Sequence, residues 1–187
     1  MARMTDSVRP LKQFLAIAIG ALGISLGAWL KATLPGTEVP QTGQTLAILM
    51  VGIVLGPTCG ALSVALYIGL GLVGLPVFAG GRSGPEVLFG PTAGYLVGFA
   101  SAAVIAGFWS RSRAGARFDS ALVGMFAAHG IILLLGWIRL AVDLGPDQAY
   151  QNGVAPFWTG AIVKSLIAAV LCRFVAHRRN NRRDDQC

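Results

Sequence analysis

Residues 45–75 read TLAILMVGIVLGPTCGALSVALYIGLGLVGL, and the way this stretch folds decides the architecture of the chain. As one helix, its 31 residues would be about 46 Å long at about 1.5 Å per residue, against about 30 Å for the hydrocarbon core of a bilayer. Gly56-Pro57 lies in the middle, and this dipeptide favours a turn followed by a new helix. The stretch is therefore either one long tilted helix or two short helices folded as a hairpin.

The composition of the whole chain is typical of a membrane protein. Of its 187 residues, 55% are apolar, only 12% are charged and 25 are glycine. Soluble domains have about 25% charged residues, so a soluble fold of this size would have too little polar surface to cover itself. The three cysteines, which include Cys187, have neither metal-ligand nor disulfide spacing. We expect an all-α integral membrane protein with a single membrane domain over 1–187.

Four further stretches are long and apolar enough to cross a bilayer, so a turn at Gly56-Pro57 gives six spans. The expected spans are 14–30, 42–56, 58–73, 87–109, 120–141 and 154–172, followed by a basic tail over 173–187.

The distribution of positive charge favours six crossings over five. Eleven of the fifteen Lys and Arg residues form three clusters: Arg3, Arg9 and Lys12; Arg111, Arg113 and Arg117; and Arg173, Arg178, Arg179, Arg182 and Arg183. Six crossings place all three clusters on one side, whereas five would move the middle cluster to the other. Because cytoplasmic loops are rich in Lys and Arg, we expect both termini in the cytoplasm.

The longer connections, 31–44, 74–86 and 142–153, then lie outside, so a ligand should bind from there.

Three polar residues inside the expected spans are candidates for special roles. Lys164 has no acidic residue three or four positions away, so it should face a cavity and contact an anionic ligand, or else bind carbonyl oxygens. Arg139 has Asp143 four residues later, which favours an intrahelical ion pair. His129 has no acidic neighbour in sequence, and we expect a packed, hydrogen-bonded core histidine.

Small residues also form patterns within the spans. The first span carries a row at spacing four that includes Ala16, Gly20, Gly23 and Gly27. Such a row lets another helix approach closely, either within the chain's own bundle or in a partner membrane protein.

The GxGxxG pattern over 69–74 lies inside a span, where helix packing explains it better than nucleotide binding. The sequence contains no Walker, HExxH or GxSxG motif, which argues against an ATPase or a hydrolase.

Several strings in the middle of the chain resemble the BioY family. They are VPQTGQT (39–45), LGPTCG (55–60), GLPVFAGG (74–81) and GPTAGYLVGF (90–99), together with Tyr67, Pro156-Phe157 and Lys164. The resemblance covers roughly residues 10–172. It implies a biotin transporter of the bacterial inner membrane: a six-helix substrate-binding (S) component of an energy-coupling factor (ECF) system. A transmembrane coupling protein and a pair of ATPases, as separate chains, would drive release, and the first-helix row from Ala16 to Gly27 would contact the coupling protein. No cofactor is implied, and transport by a homo-oligomer alone stays open.

The resemblance also implies a set of ligand-binding residues. Lys164 would neutralise the biotin carboxylate, and Gln44 and Tyr95 would hydrogen-bond the ligand's polar atoms. Phe78, Phe157 and Trp158 would line its apolar chain, and Thr159 is a further candidate acceptor. The glycine content and outer position of Gly80-Gly81-Arg82-Ser83 predict that this segment forms a lid.

One position departs from the family pattern, because Ala161 stands where an aspartate usually precedes the lysine by three residues. Either another acceptor replaces the carboxylate, or affinity is lower, or the ligand is another small vitamin or carboxylate. A membrane enzyme acting on a lipid-linked substrate is a more distant alternative.

Overall fold

The structure, a computed structural model, describes residues 2–32 and 41–184, with side chains described over 10–31 and 41–181. Within these ranges the fold is helical, with one short antiparallel strand pair. The helices are α1 (Ala2–Trp29), α2 (Gln44–Leu55), α3 (Pro57–Leu72), α4 (Ala93–Trp109), α5 (Phe118–Leu144), α6 (Pro146–Gly153) and α7 (Trp158–Asp184). Strand β1 (Lys31–Ala32) pairs with β2 (Gln41–Thr42), and 3₁₀ turns lie at Ala79–Gly81, Pro85–Leu88, Ala114–Ala116 and Ala155–Phe157.

Parts of two expectations fall outside the described residues. Most of the expected outer connection 31–44, with the start of the VPQTGQT string, lies within 33–40. The end of the basic tail, which includes Cys187, lies within 185–187.

The stretch 45–75 forms two helices, as one of the two sequence alternatives predicted. Gly56 separates them with a φ of 86°, a left-handed conformation that side chains other than that of glycine rarely adopt. Pro57 is the first residue of α3, where its missing N–H costs no hydrogen bond. The two helices are only about 18 Å and about 24 Å long.

The ends of other helices differ from the expected spans. Residues Pro85–Leu88 form a 3₁₀ turn, and Gly90-Pro91 lies between this turn and the next helix. Helix α4 therefore begins at Ala93 rather than at 87. At the other end, α7 continues through the expected basic tail to Asp184. Within the described residues, three segments are long and apolar enough to span a membrane: Pro10–Trp29, Phe118–Leu144 and Pro146–Asn181; α2, α3 and α4 are apolar but shorter.

Glycines bring the helices around α4 into close contact. A Cβ at Gly52 of α2 would collide with the backbone of Ala103, and a Cβ at Gly98 of α4 would lie 2.8 Å from Cα of Ile132 on α5. Helix α4 therefore packs tightly between α2 and α5, which fixes the relative positions of three helices.

The small-residue row on α1 is largely used inside the bundle. A Cβ at Gly20 would meet Ser63 of α3, and one at Gly27 would lie 2.9 Å from Ala47 of α2. Ala16 is half-buried, and only Gly23 has no heavy atom within 4 Å of such a Cβ. Contact with the chain's own helices, the first of the two alternatives, therefore accounts for Gly20 and Gly27.

Helix packing does not explain the GxGxxG pattern. Gly71 makes room for the ring of Phe78 in the loop that follows α3, whereas a Cβ at Gly69 or Gly74 would have no heavy atom within 4 Å outside the local backbone. The expectation of helix packing was therefore wrong for this pattern, because its one close contact is with a loop side chain.

Candidate ligand-binding site

A cavity lies among α2, α3, α4, α5 and α7, beneath the loop that follows α3. Its lining consists of Thr42, Gln44, Thr45, Tyr67, Phe78, Ala79, Arg82, Val87, Thr92, Tyr95, Leu96, Phe99, His129, Ile132, Leu133, Phe157, Ala161 and Lys164. Two of these described residues, Arg82 and Lys164, are basic, and none is a carboxylate. The lining suits an anionic ligand with a sizeable apolar part.

Lys164 of α7 is the half-buried cation of the cavity. Its ammonium donates to the carbonyl oxygen of Thr42 at 2.5 Å and to Oγ1 of Thr45 at 3.3 Å. Both acceptors are neutral, and an ammonium has three N–H groups, so among the described residues no carboxylate pairs with its charge and one N–H group has no acceptor. Lys164 therefore binds a carbonyl oxygen, as the second sequence alternative predicted; it also lines a cavity, and its contact with an anionic ligand stays a prediction.

Gln44 of α2 and Tyr67 of α3 form a buried polar pair that also lines the cavity. Nε2 of Gln44 donates to the hydroxyl of Tyr67 at 2.8 Å, and Gln44 is 4% exposed. The Tyr67 ring meets Phe78 edge to face, with ring centroids 5.4 Å apart. This arrangement joins α2, α3 and the following loop, and it leaves the amide oxygen of Gln44 as an acceptor.

Tyr95 also lines the cavity, but its hydroxyl hydrogen is already in use. The hydroxyl donates to the carbonyl oxygen of Gly153 at 2.6 Å, which ties α4 to the end of α6. Tyr95 thus holds the cavity wall in place and keeps only acceptor capacity for a ligand.

The predicted lid is a compact turn. Gly80 and Gly81 have φ angles of 77° and 74°, and the backbone N–H of Phe78 donates to the carbonyl of Arg82 at 3.0 Å. Arg82 is exposed and lines the cavity, whereas Ser83 is not among the lining residues.

The start of α7 brings some predicted residues to the cavity and directs others away. Phe157, Ala161 and Lys164 lie four and three residues apart, which places them on one helix face. Trp158 and Thr159 fall on other faces, are exposed and do not line the cavity. The structure therefore does not bring these two predicted residues into the site.

His129 is the cavity residue whose role the sequence did not reveal. It is buried, 3% exposed and hydrogen-bonded, as predicted, with Nδ1 2.8 Å from Oγ of Ser165 on α7. Its Nε2 has no hydrogen-bond partner among the described residues, nor does Oγ1 of Thr92, which also lines the cavity. The available signal was a lone histidine inside an otherwise apolar span, which is by default a functional candidate.

The ion pair predicted on α5 is confirmed outside the cavity. Arg139 lies 2.6 Å from Asp143, and its second terminal nitrogen donates to the carbonyl of Phe89 at 2.6 Å. This arginine therefore fixes the chain before α4 against α5.

These features define a class: an all-helical, multi-pass membrane protein with a largely apolar cavity that carries two cations. The BioY family model matches residues 2–181, and the chain belongs to the BioY family.

Relatives with curated names agree with this membership. The chain is 36% identical over 160 residues to the probable biotin transporter BioY of Pyrococcus horikoshii, which covers 86% of this chain and 93% of that protein. It is 35% identical over 162 residues to the biotin transporter BioY of Thermotoga maritima, which covers 86% and 94%. The fold resembles the crystal structure of an S-component for biotin from an ECF-type ABC transporter. That likeness has a TM-score of 0.77 and 23% identity, over 89% of this chain and 92% of that one.

Proposed function

We propose that this chain is a biotin-binding S component, which captures biotin at the outer face of a bacterial inner membrane for uptake with an ECF module. The relatives are named biotin transporters, and a solved structure of similar fold is an S-component for biotin. The observation that carries the proposal is Lys164, a half-buried cation that lines the cavity and whose hydrogen-bond acceptors among the described residues are neutral.

The chemistry of biotin matches the order of groups in this cavity. Burial increases from Arg82, which is exposed, through Lys164 to His129, which is 3% exposed. If the biotin carboxylate lies between Arg82 and Lys164, the apolar chain and the ring system of biotin extend inward past Phe78 and Phe157. The neutral ureido ring then lies at the buried end, where the amide oxygen of Gln44 is an acceptor.

Ala161 lines the cavity where the family pattern has an aspartate, so the acceptors that the described lining offers to the ligand's N–H groups are neutral. A neutral ring suits such acceptors, which favours biotin over a ligand with a cationic head. Another small vitamin or carboxylate remains the second candidate because of this position.

Competition binding separates the two candidates. The purified chain in detergent is incubated with labelled biotin and an excess of unlabelled biotin, thiamine, riboflavin or nicotinate. We expect displacement by biotin alone. Displacement by another vitamin, or no binding of labelled biotin, would refute the substrate assignment.

We also propose six crossings with both termini in the cytoplasm. Arg111 and Arg179 donate to the carbonyls of Leu55 and Val54, next to Gly56. The loop over 110–117, the basic part of α7 and the turn at Gly56 therefore share one end of the bundle, which supports their placement on one side of the membrane.

Cysteine labelling of intact cells tests this topology. In a chain without its native cysteines, Gln148→Cys and Ala114→Cys each place one thiol at an exposed position. A membrane-impermeant maleimide should label position 148 in intact cells and position 114 only after permeabilisation. Labelling of both positions in intact cells would contradict the topology.

Within the proposed partner surface on α1, Gly23 is the open position. Gly23→Leu should abolish co-purification with a co-expressed ECF coupling protein and its ATPases and leave biotin affinity unchanged. Gly130→Leu on α5 is a matched control, because a Cβ there also meets nothing within 4 Å. Equal recovery of the complex with both variants would remove Gly23 from the contact.

A further inference from the structure

Two buried side-chain polar atoms have no partner within the described part of the chain, and both belong to residues that line the cavity. They are Nε2 of His129 and Oγ1 of Thr92. A buried polar group without a hydrogen bond costs about 1–3 kcal/mol, so such atoms are rare unless another molecule satisfies them. Their coincidence in one cavity indicates that a polar part of the ligand belongs there.

The contacts behind His129 favour one tautomer of its ring, and the tautomer decides what Nε2 offers to a ligand. Oγ of Ser165 lies 2.8 Å from Nδ1 of His129 and 3.5 Å from the carbonyl oxygen of Met125. A carbonyl oxygen can only accept, so a serine hydroxyl that donates to Met125 accepts from the N–H at Nδ1. A neutral imidazole protonated at Nδ1 has a lone pair at Nε2.

We propose that His129 is a ligand-binding residue, whose Nε2 accepts a hydrogen bond from one ureido N–H of biotin. This inference rests on the proposed function and names the recognition of the ring at the same site. Ser165 is a positioning residue, which holds the imidazole in the accepting tautomer. With Ala161 in place of an acidic residue, the histidine supplies a neutral acceptor to the ring.

Two amide substitutions separate the role of Nε2 from that of Nδ1. His129→Gln can present its amide oxygen near the position of Nε2, whereas His129→Asn reaches only the position of Nδ1 and Ser165. We expect Gln to keep biotin affinity within about threefold, and Asn and Leu to weaken it about 10- to 100-fold. His177→Leu, at the chain's other and exposed histidine, should have no effect. Wild-type affinity in both the Asn and Leu variants would overturn the proposal.

A ligand-side measurement keeps the proposal testable if a variant also loosens the fold. Biotin methylated at either ureido nitrogen lacks one N–H group. For one of the two isomers, the wild-type chain should lose about tenfold or more in affinity, and His129→Leu should lose much less. An equal loss in both chains for both isomers would refute direct contact with His129. Failure of the wild-type chain to bind biotin would instead refute the proposed function.

Discussion

The two ends of helix α2 are each contacted by basic side chains, but in opposite electrostatic settings. At its carboxyl end, Arg111 and Arg179 donate to the carbonyls of Leu55 and Val54, where the helix dipole favours positive charge. At its amino end, Lys164 binds Thr42 and Thr45, where the dipole disfavours a cation. We expect the first arrangement to stabilise the fold without any ligand, and the second to become more favourable when an anionic ligand binds.

The polar atoms around the two ends of α2 also differ in whether they have hydrogen-bond partners. Near the carboxyl end, the hydroxyl of Ser110 donates to the carbonyl of Ile53 at 2.9 Å. Near the amino end, the cavity contains Nε2 of His129 and Oγ1 of Thr92, without partners among the described residues. Positive charge is therefore present at both ends, but only the amino end combines it with a cavity and unpaired polar atoms, which is why we propose the binding site there.

The strongest test of this contrast is Lys164→Met. Loss of the ammonium should weaken biotin binding about 100-fold, because a charge-assisted hydrogen bond in a shielded cavity is lost. The melting temperature without ligand should stay the same or rise, because a cation leaves the amino end of α2. Titration calorimetry and thermal unfolding measure both. Lys12→Met, at an exposed position, is the control, and affinity within twofold of wild type would contradict the contrast.

A smaller effect is expected from Arg82→Gln. Arg82 lines the cavity but is exposed, so solvent and salt screen its charge. Biotin affinity should fall about tenfold at low salt, and the difference from wild type should shrink as salt is added. Arg117→Gln serves as the matched control, because this exposed arginine pairs with Asp119 outside the cavity. A loss that does not depend on salt would argue against a screened charge interaction.

Arg111→Met tests the carboxyl end of α2. The substitution removes a donor to the carbonyl of Leu55, which should lower the free energy of unfolding by about 1 kcal/mol. Biotin affinity should remain unchanged, as measured by the same titration. A drop in biotin affinity without a drop in the free energy of unfolding would contradict the assignment of fold stabilisation to the carboxyl end of α2 and of ligand binding to its amino end.

The smallest effect is expected at Trp158. It is 49% exposed and lies outside the cavity, so Trp158→Leu should leave biotin affinity within about twofold. Phe157→Leu, one residue earlier and on the cavity wall, should weaken binding more. The reverse order would restore the sequence-based expectation that Trp158 lines the ligand's apolar chain.

The features predictable from sequence were local ones. The helix break at Gly56-Pro57 and the ion pair of Arg139 with Asp143 depend on residues within one turn of each other, so spacing sufficed. The cavity required distant contacts: Lys164 meets Thr42 across 122 positions, and His129 meets Ser165 across 36. Neither distance leaves a periodic signal in a single sequence.

The wrong placement of Trp158 and Thr159 in the candidate site also arises because contacts between distant parts of the chain decide which residues line the cavity. Which of Phe157, Trp158 and Thr159 lines the cavity depends on the rotation of α7 about its axis, which packing against α2 and α5 determines. On α1, Gly20 and Gly27 share one pattern with Gly23, but only contact with α2 and α3 distinguishes the buried positions from the open one.

The most direct test of the central claim compares biotin with biotin methyl ester, in the wild-type chain and in Lys164→Met. If Lys164 holds the carboxylate, the wild-type chain should prefer the acid by about 100-fold, and the variant should lose most of that preference. Titration of both purified chains with both ligands gives the four affinities needed. The same preference for the acid in both chains would contradict the account.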